Sequence, residues 1–230
     1  LGAVRACRRG NAAGDCNGKI RMPGSFPEMT SRTAGPRLYP VVLTVPTHLR
    51  HLRGRPKVAI LSRLARVAVR LSARLTGVKL PAFDKNCKGA PQPIAGVHWS
   101  VTHKSAFVAG IVSAAPVGID IERVGTPAEG LYRRIAAEEE WRLGRDMAGA
   151  LLFYRVWTAK EAVLKAEGVG LRGLSRCRVT AIASKEHMQL SFDRRSWTVA
   201  HHRLPNHILA LTWRGEAIQW QVDPKWPKWS

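Results

Sequence analysis

The chain has 230 residues, enough for one compact domain or two small ones, and its 45% hydrophobic content can build a real core. Its charge is strongly unbalanced, with 37 Lys and Arg residues against 16 Asp and Glu residues and a formal net charge of +21. This composition excludes a globally disordered chain. It favours a negatively charged partner, which could be nucleic acid, anionic lipid, a phosphorylated small molecule or an acidic protein.

The cysteines and the apolar runs bear on the compartment. The four cysteines are Cys7, Cys16, Cys87 and Cys177. Their spacing matches neither a zinc site nor the framework of a disulfide-stapled secreted fold, so we expect a reduced, cytoplasmic protein. The longest apolar run, residues 106–119, is interrupted by Ser113 and Pro116 and is shorter than the ~20 residues of a membrane-spanning helix. No membrane association is therefore predicted.

The N-terminal part of the chain changes character near residue 38. Residues 1–37 are basic and lack a continuous apolar segment, so they do not fit a secretory signal, and we predict a disordered leader. A strand is predicted from Leu38 over the sequence LYPVVLTV. Residues 58–77 then place apolar side chains at 60, 64, 67, 71 and 75, which predicts a helix with one buried stripe and a C-cap at Gly77. Its opposite face carries four arginines, which either form a solvated basic surface or contact phosphate.

Later elements are predicted from shorter patterns. Strands are expected at 97–103, 106–113 and 117–122, helices at about 131–143 and 147–166, and an antiparallel meander near 176–183, 187–192, 196–202 and 207–213. The tail from Trp220 is predicted to fray. A first half of strand, helix and hairpin is followed by a second half of strand, helices and strands, which suggests a duplicated α+β unit although no residue-level repeat is visible.

The strand at 117–122 carries two acids on one face. Because side chains alternate along a strand, Val117, Ile119 and Ile121 point to the core while Asp120 and Glu122 share the other face. Two like charges so placed repel unless a cation lies between them, and such hard oxygen ligands suit Mg²⁺. The same pattern is also typical of a strand that exposes acids to water, so the pair alone leaves both interpretations open.

The helix at 147–166 offers a second charged pair, Glu161 and Lys165, away from the centre of its predicted buried stripe. A Glu four residues before a Lys is also the standard helix-stabilising pair, worth about 0.2–0.5 kcal/mol. Taken alone, this pair could equally be solvated. The same is true of His103 at the end of a strand, which is either a surface residue or a phosphate ligand.

Three segments taken in order are more specific. HWSVTHK at 98–104, VGIDIERV at 117–124 and FYRVWTAKEAVLKAEGVGL at 153–171 resemble the signature segments of the Sfp-type 4′-phosphopantetheinyl transferases. The third segment matches the family pattern W-[ST]-x-K-E-[AS]-x-x-K followed by G-x-G-L throughout. Its matching residues are Trp157, Thr158, Lys160, Glu161, Ala162, Lys165, Gly168, Gly170 and Leu171. The family's Ser-His-Ser reads Thr102-His103-Lys104 here, so a cation replaces a small hydroxyl residue.

The resemblance implies an enzyme that transfers the phosphopantetheine arm of coenzyme A to a serine of an apo acyl or peptidyl carrier protein and releases adenosine 3′,5′-bisphosphate. It implies Mg²⁺ held by Asp120, Glu122 and Glu161. It implies Glu161 as the base for the serine hydroxyl and Lys165 as the group that stabilises or protonates the departing phosphate. Contacts with coenzyme A are implied for His103, Lys165, Thr102 and Lys88.

The fold implied by the resemblance is α+β, with two similar halves related by pseudo-twofold symmetry and coenzyme A in the cleft between them. The halves would be residues 38–116 and 117–230. We expect a monomer whose partner is an acidic carrier protein, with neither a membrane nor nucleic acid as a partner.

Two other functions compete with this one. The first is a Mg²⁺-dependent nuclease, but nucleases of the D…(D/E)xK type place one residue between acid and Lys on a strand, whereas three residues separate Glu161 from Lys165 on a predicted helix. The second is a non-enzymatic nucleic-acid-binding protein, which would use the Arg-rich helix. It leaves the Asp-x-Glu strand and the W-T-x-K-E helix unexplained.

Overall fold

Strands and helices both occur throughout the part of the chain that the computed structural model describes, residues 36–87 and 89–223. These residues all belong to one compact unit. The strands are β1 (Arg37–Leu38), β2 (Val41–Thr44), β3 (His98–His103), β4 (Phe107–Ser113), β5 (Ile119–Arg123), β6 (Cys177–Ala181), β7 (His187–Phe192), β8 (Arg195–Leu204), β9 (His207–Trp213), β10 (Ala217–Ile218) and β11 (Gln221–Val222). The helices are α1 (Thr47–Arg50), α2 (Gly54–Thr76), α3 (Leu131–Ile135), α4 (Glu138–Arg142), α5 (Gly149–Glu167) and a 3₁₀ helix (Gly170–Arg176). The predicted α+β class is confirmed.

The strands form two main sheets. One has the order β11-β2-β4-β3, and the other has the order β5-β9-β8-β7-β6. All neighbours in the second sheet are antiparallel, which confirms the predicted meander. The described part of the tail was wrongly expected to fray, because Gln221 pairs with Val41 and the Asp223 carboxylate accepts a hydrogen bond from the Thr44 backbone N–H at 2.6 Å.

Neither the boundary predicted at 37/38 nor the one predicted at 116/117 coincides with a break between paired strands. Arg37, placed in the predicted leader, pairs in β1 with Ala217 of β10. The rest of that leader, apart from Pro36, lies outside the described residues, as does Lys88. At the other end, β11 joins the sheet that contains β2, so the predicted division at 116/117 separates strands that are paired. The pseudo-twofold relation between the halves stays a prediction.

Helix α2 covers the first sheet by packing closely on β4. It ends where predicted, with Gly77 in the left-handed conformation at φ 73°. The buried stripe of the helix lies about one position away from the predicted one. The residues at its centre are small and include Ala65 and Ala68. The reason is a contact that the local pattern does not contain: a Cβ at Gly110 of β4 would lie 2.6 Å from the backbone nitrogen of Val69. The helix is therefore pressed against the strand.

Helix α5 covers the second sheet and is buried on most of its circumference, with ten of its residues buried. The helix predicted over about 131–143 is instead two short helices, α3 and α4, because Ala136 between them is extended at φ −150° and ψ 157°. No helix in the described ranges combines the length and apolar character that a bilayer-spanning segment requires.

The two sheets meet along β3 and β5. Ser100 Oγ accepts a hydrogen bond from the Ile119 N–H at 3.1 Å, and Thr102 Oγ1 accepts one from the Ile121 N–H at 3.3 Å. Side-chain hydroxyls thus satisfy two donors of β5 on the edge that faces away from β9. This junction places the end of β3 beside the acids of β5.

Candidate active site

The strand that carries the two acids lies directly against α5. A Cβ at Gly118, just before β5, would lie 1.8 Å from the carbonyl oxygen of Ala162, so only glycine allows this approach. Val117, Ile119 and Ile121 are buried in one apolar cluster, as the alternation predicted. The other face of the strand is thereby brought to the polar side of α5.

One cleft of about 450 Å³ contains most of the predicted site residues. Its lining includes Thr102 and His103 from β3, Asp120 and Glu122 from β5, and Glu161 and Lys165 from α5. A neighbouring cleft of about 760 Å³ shares Lys85, Val101, Glu161 and Lys165 with it and extends to Gly168, Gly170 and Leu171 after the helix. The structure therefore brings the three sequence segments together, as expected for a single site.

Asp120 is buried and asymmetrically bonded. Its Oδ1 accepts hydrogen bonds from Lys165 Nζ at 2.6 Å and from Thr102 Oγ1 at 3.0 Å. Lys165 Nζ also donates to the Ile119 carbonyl at 3.1 Å, which fixes the ammonium beside the strand. The second oxygen, Oδ2, is buried and has no hydrogen-bond partner among the described residues. One carboxylate oxygen of Asp120 is thus left for another ligand.

Glu122 has both oxygens engaged. Its Oε1 accepts a hydrogen bond from the indole Nε1 of Trp157 at 3.0 Å, and its Oε2 forms an ion pair with Lys104 Nζ at 2.7 Å. The bond from Trp157 gives a physical reason for the Trp of the helix motif, since it orients the acid of the strand motif. The sequence did not predict this role for Trp157, because a motif match carries no information about which side chains touch.

Glu161 lines the same cleft and is electrostatically disfavoured as an anion. Burial raises the pKa of the Glu161 carboxyl above its ordinary value, and the negative charge of Asp120 raises that pKa further. Lys165 opposes the effect of Asp120, and Glu122 adds to it. A carboxyl with a raised pKa is suited to accept a proton near neutral pH.

His103 and Thr102 differ in what they can contact. Burial lowers the pKa of His103, and the charge of Lys165 lowers it further, which favours the neutral imidazole at pH 7. The Thr102 hydroxyl is already used, since it donates to Asp120 and accepts from the Ile121 N–H. Thr102 therefore positions Asp120, and its predicted contact with coenzyme A stays a prediction.

Basic residues outside the three motifs also face the cleft. Arg66 of α2 lines it together with Lys85 and Lys104. The guanidinium of Arg66 lies over the ring of Phe83 at 5.8 Å, and that of Arg70 lies over the same ring at 5.0 Å. Arg66 of the arginine face of α2 thus lines the cleft. The helical pattern alone left open whether these arginines are solvated or contact phosphate.

Lys160, the other lysine of the helix motif, points away from the cleft. Its Nζ forms an ion pair with Glu140 Oε2 at 2.7 Å and donates to the Ile135 carbonyl at 2.9 Å. The adjacent residues Lys160 and Glu161 therefore lie on different sides of the helix. Lys160 is buried inside the protein, and Glu161 lines the cleft.

The donor set of the cleft suits a hard divalent cation. Asp120, Glu122 and Glu161 supply carboxylate oxygens, and the unpartnered Oδ2 of buried Asp120 is the kind of atom that a cation would satisfy. Among the residues that the structure describes, no three His, Cys, Asp or Glu side chains are grouped closely enough to hold a metal ion as they stand. Lysine ammonium groups bind two of the three carboxylates instead.

Comparison with known proteins bears on the same region. Residues 116–212 match the family model of the 4′-phosphopantetheinyl transferase superfamily. The chain is 32% identical over 92 residues to the 4′-phosphopantetheinyl transferase gsp of Aneurinibacillus migulanus. This alignment covers 39% of each of the two chains. It is 31% identical over 102 residues to the 4′-phosphopantetheinyl transferase psf-1 of Bacillus pumilus, covering 40% of this chain and 42% of that one.

A third relative, the 4′-phosphopantetheinyl transferase ffp of Bacillus subtilis, is 30% identical over 78 residues, covering 32% of this chain and 34% of that one. The chain thus spans about two fifths or less of the length of these curated relatives. The matched family segment contains β5 and α5 with their acids, whereas β3 and α2 lie outside it. Over residues 116–212, the resemblance to the 4′-phosphopantetheinyl transferase family that the three motifs predicted is confirmed.

Proposed function

We propose that this protein transfers the 4′-phosphopantetheine arm of coenzyme A to a serine hydroxyl of an apo carrier protein. The observation that supports this most is the convergence of Asp120 and Glu122 from one strand with Glu161 and Lys165 from one helix in a single cleft. These are the acids and the lysine that the family resemblance assigns to the reaction. Support also comes from the similarity to proteins that are named 4′-phosphopantetheinyl transferases, which covers part of the chain.

The reaction requires an alcohol to attack a diphosphate. The serine oxygen forms a bond to the phosphorus that carries the pantetheine arm, and the bond from that phosphorus to the bridging oxygen of the diphosphate breaks. The serine proton goes to the carboxylate of Glu161, which lines the cleft together with Lys165. The leaving group is adenosine 3′,5′-bisphosphate.

Lys165 acts on the leaving side. Its ammonium lies in the cleft beside Asp120 and stabilises negative charge on the departing phosphate, or donates a proton to it. A neutral His103 and the guanidinium of Arg66 bind phosphate oxygens of coenzyme A and position the diphosphate, a role in which neither side chain transfers a proton. Lys88, also proposed for such a contact, lies outside the described residues.

Mg²⁺, held by Asp120, Glu122 and Glu161, would neutralise the diphosphate as a Lewis acid. The unpartnered oxygen of Asp120 supports this proposal. The chain's own contribution is to orient these acids, through Thr102 for Asp120 and through Trp157 for Glu122.

The protein substrate is proposed to be acidic. A formal net charge of +21 attracts an acidic carrier by long-range electrostatics. The same charge would also attract nucleic acid, so charge alone does not choose between them. Turnover of a carrier does.

The test is mass spectrometry of apo carrier proteins after incubation with the protein, coenzyme A and Mg²⁺. We expect the carrier to gain the mass of one phosphopantetheine arm at its serine. Glu161→Gln should abolish the gain, while Glu167→Gln, on the same helix but outside the cleft, should retain it. Absence of any gain across acyl and peptidyl carriers, with cleavage or tight binding of DNA by the same preparation, would refute the proposal.

A further inference from the structure

Lys104 departs from the family pattern, and its ammonium is paired with Glu122, one of the acids that this pattern contains. It stands where that pattern has a small hydroxyl residue, and its Nζ lies 2.7 Å from Oε2 of Glu122. Its backbone N–H donates to the Phe107 carbonyl at 2.8 Å, so the turn between β3 and β4 fixes where the side chain starts. The ammonium is thus a positive charge that lines the cleft beside Glu122.

The two acids of β5 are not equally available to a metal ion. Asp120 keeps one oxygen without a partner among the described residues, so an ion can bind there while Lys165 remains on the other oxygen. Glu122 has no such oxygen, because Trp157 holds Oε1 and Lys104 holds Oε2. Each oxygen keeps a second lone pair, but a cation bound at Oε2 would lie beside the Lys104 ammonium and be repelled by it.

Lys104 is the partner that can leave. Its side chain is 38% exposed, against 16% for Glu122, and an ammonium on a flexible stem can return to water at little cost. Trp157 is held within α5 and packs against the buried core cluster beside that helix. Glu122 itself stays in place because its other oxygen is bonded to Trp157.

We infer that Lys104 competes with the metal ion: its ammonium holds Oε2 of Glu122 in the free protein and must be displaced before a divalent cation can bind that oxygen. This inference rests on the proposed function, since it concerns the metal that the function requires. The consequence is a weaker site for divalent cations than the same acids would form beside a serine at position 104. Lys104 is a positioning residue that acts through Glu122.

The test measures metal binding without coenzyme A or carrier, so it does not depend on transferase activity. Mn²⁺ is titrated into the full chain and the free ion is followed by EPR. Lys104→Ser should lower the Kd for Mn²⁺ by about fivefold, since an exposed ion pair is worth up to about 1 kcal/mol and 1.4 kcal/mol corresponds to a factor of ten. Lys104→Arg keeps the charge and should leave the Kd near that of the unmodified protein.

Two controls separate competition for Glu122 from a general change in charge. Lys85→Ser removes another cation from the same cleft and should tighten Mn²⁺ binding clearly less than Lys104→Ser does. In a Glu122→Gln background, Lys104→Ser should no longer tighten binding. Thermal melts check that each variant is folded.

The outcomes distinguish the two proposals. If Lys104→Ser binds Mn²⁺ no more tightly than the unmodified protein, or gains equally in the Glu122→Gln background, the inference about Lys104 is wrong while the transferase proposal stands. If no variant binds Mn²⁺ at all, both the inference and the metal role of these acids are overturned. Carrier turnover, measured separately, decides the transferase proposal itself.

Discussion

Replacing Lys160 by Met should destabilise the protein strongly without removing any group from the cleft. The Lys160 side chain is 2% exposed and that of its partner Glu140 is 6% exposed. Glu140 also accepts hydrogen bonds from the backbone N–H groups of Ala137 at 3.0 Å and Val179 at 2.7 Å. Lys160→Met would therefore leave a buried carboxylate with two neutral donors and no compensating charge.

The size of the effect follows from that burial. Breaking a buried ion pair by removing one partner costs about 3–5 kcal/mol, because the remaining charge stays desolvated. With a slope of about 2–3 kcal/mol per molar urea, the unfolding midpoint should fall by about 1–2.5 M. A urea titration followed by tryptophan fluorescence measures this shift.

A second substitution tests the cause. Glu140→Gln on the Lys160→Met background removes the uncompensated charge and keeps an amide oxygen as an acceptor, so it should recover part of the lost free energy of unfolding. If Lys160→Met costs less than about 1 kcal/mol, or if adding Glu140→Gln destabilises the protein further, the explanation by a desolvated charge is refuted. Transfer per folded molecule, assayed at low temperature, should survive Lys160→Met but not Lys165→Met.

Four further outcomes are expected. Asp120→Asn should abolish transfer to carrier in a protein that still folds, because the amide keeps an acceptor for Thr102 although the ion pair with Lys165 is lost; near-normal transfer at saturating Mg²⁺ would contradict the metal assignment. Gly118→Ala should destabilise the protein by at least about 3 kcal/mol, since the new Cβ has to displace the backbone of α5, and a small change in urea midpoint would count against the close approach. Burial lowers the pKa of His201 to about 3, so the unfolded chain binds a proton below about pH 6.5 that the folded chain does not. Stability should therefore be complete above about pH 6.5 and fall by about 2 kcal/mol by pH 5, and His201→Gln should flatten this pH dependence of the urea midpoint. With coenzyme A saturating, apparent affinity for the carrier should decline steeply as salt rises, and a flat response up to about half molar salt would indicate apolar docking instead.

Local periodicity predicted which acids share a face, and the family resemblance predicted that these faces form one site. Alternation along the strand placed Asp120 and Glu122 opposite the core residues, and helical spacing placed Glu161 and Lys165 together. Both patterns depend only on neighbours in sequence. The order of the segments then predicted a resemblance to the 4′-phosphopantetheinyl transferases, and residues 116–212 match the model of that superfamily.

Features set by contacts between distant residues could not be predicted in this way. The buried stripe of α2 was displaced because Gly110, more than thirty residues later, touches Val69. The ion pair of Lys160 with Glu140 runs against the usual preference of charged side chains for water. The pair of Lys104 with Glu122 depends on the junction of two sheets, which no single segment encodes.

The strand at the end of the described chain has a consequence for how the protein is made. β11 pairs in parallel with β2, so the sheet that α2 covers lacks one of its four strands until residues 221–222 have been synthesised. Contacts of such large sequence separation form late, because the loop between the partners must first be closed. During translation the N-terminal sheet would expose an unpaired edge at β2 while the rest of the chain emerges. A truncation before residue 221 would leave that edge open to aggregation.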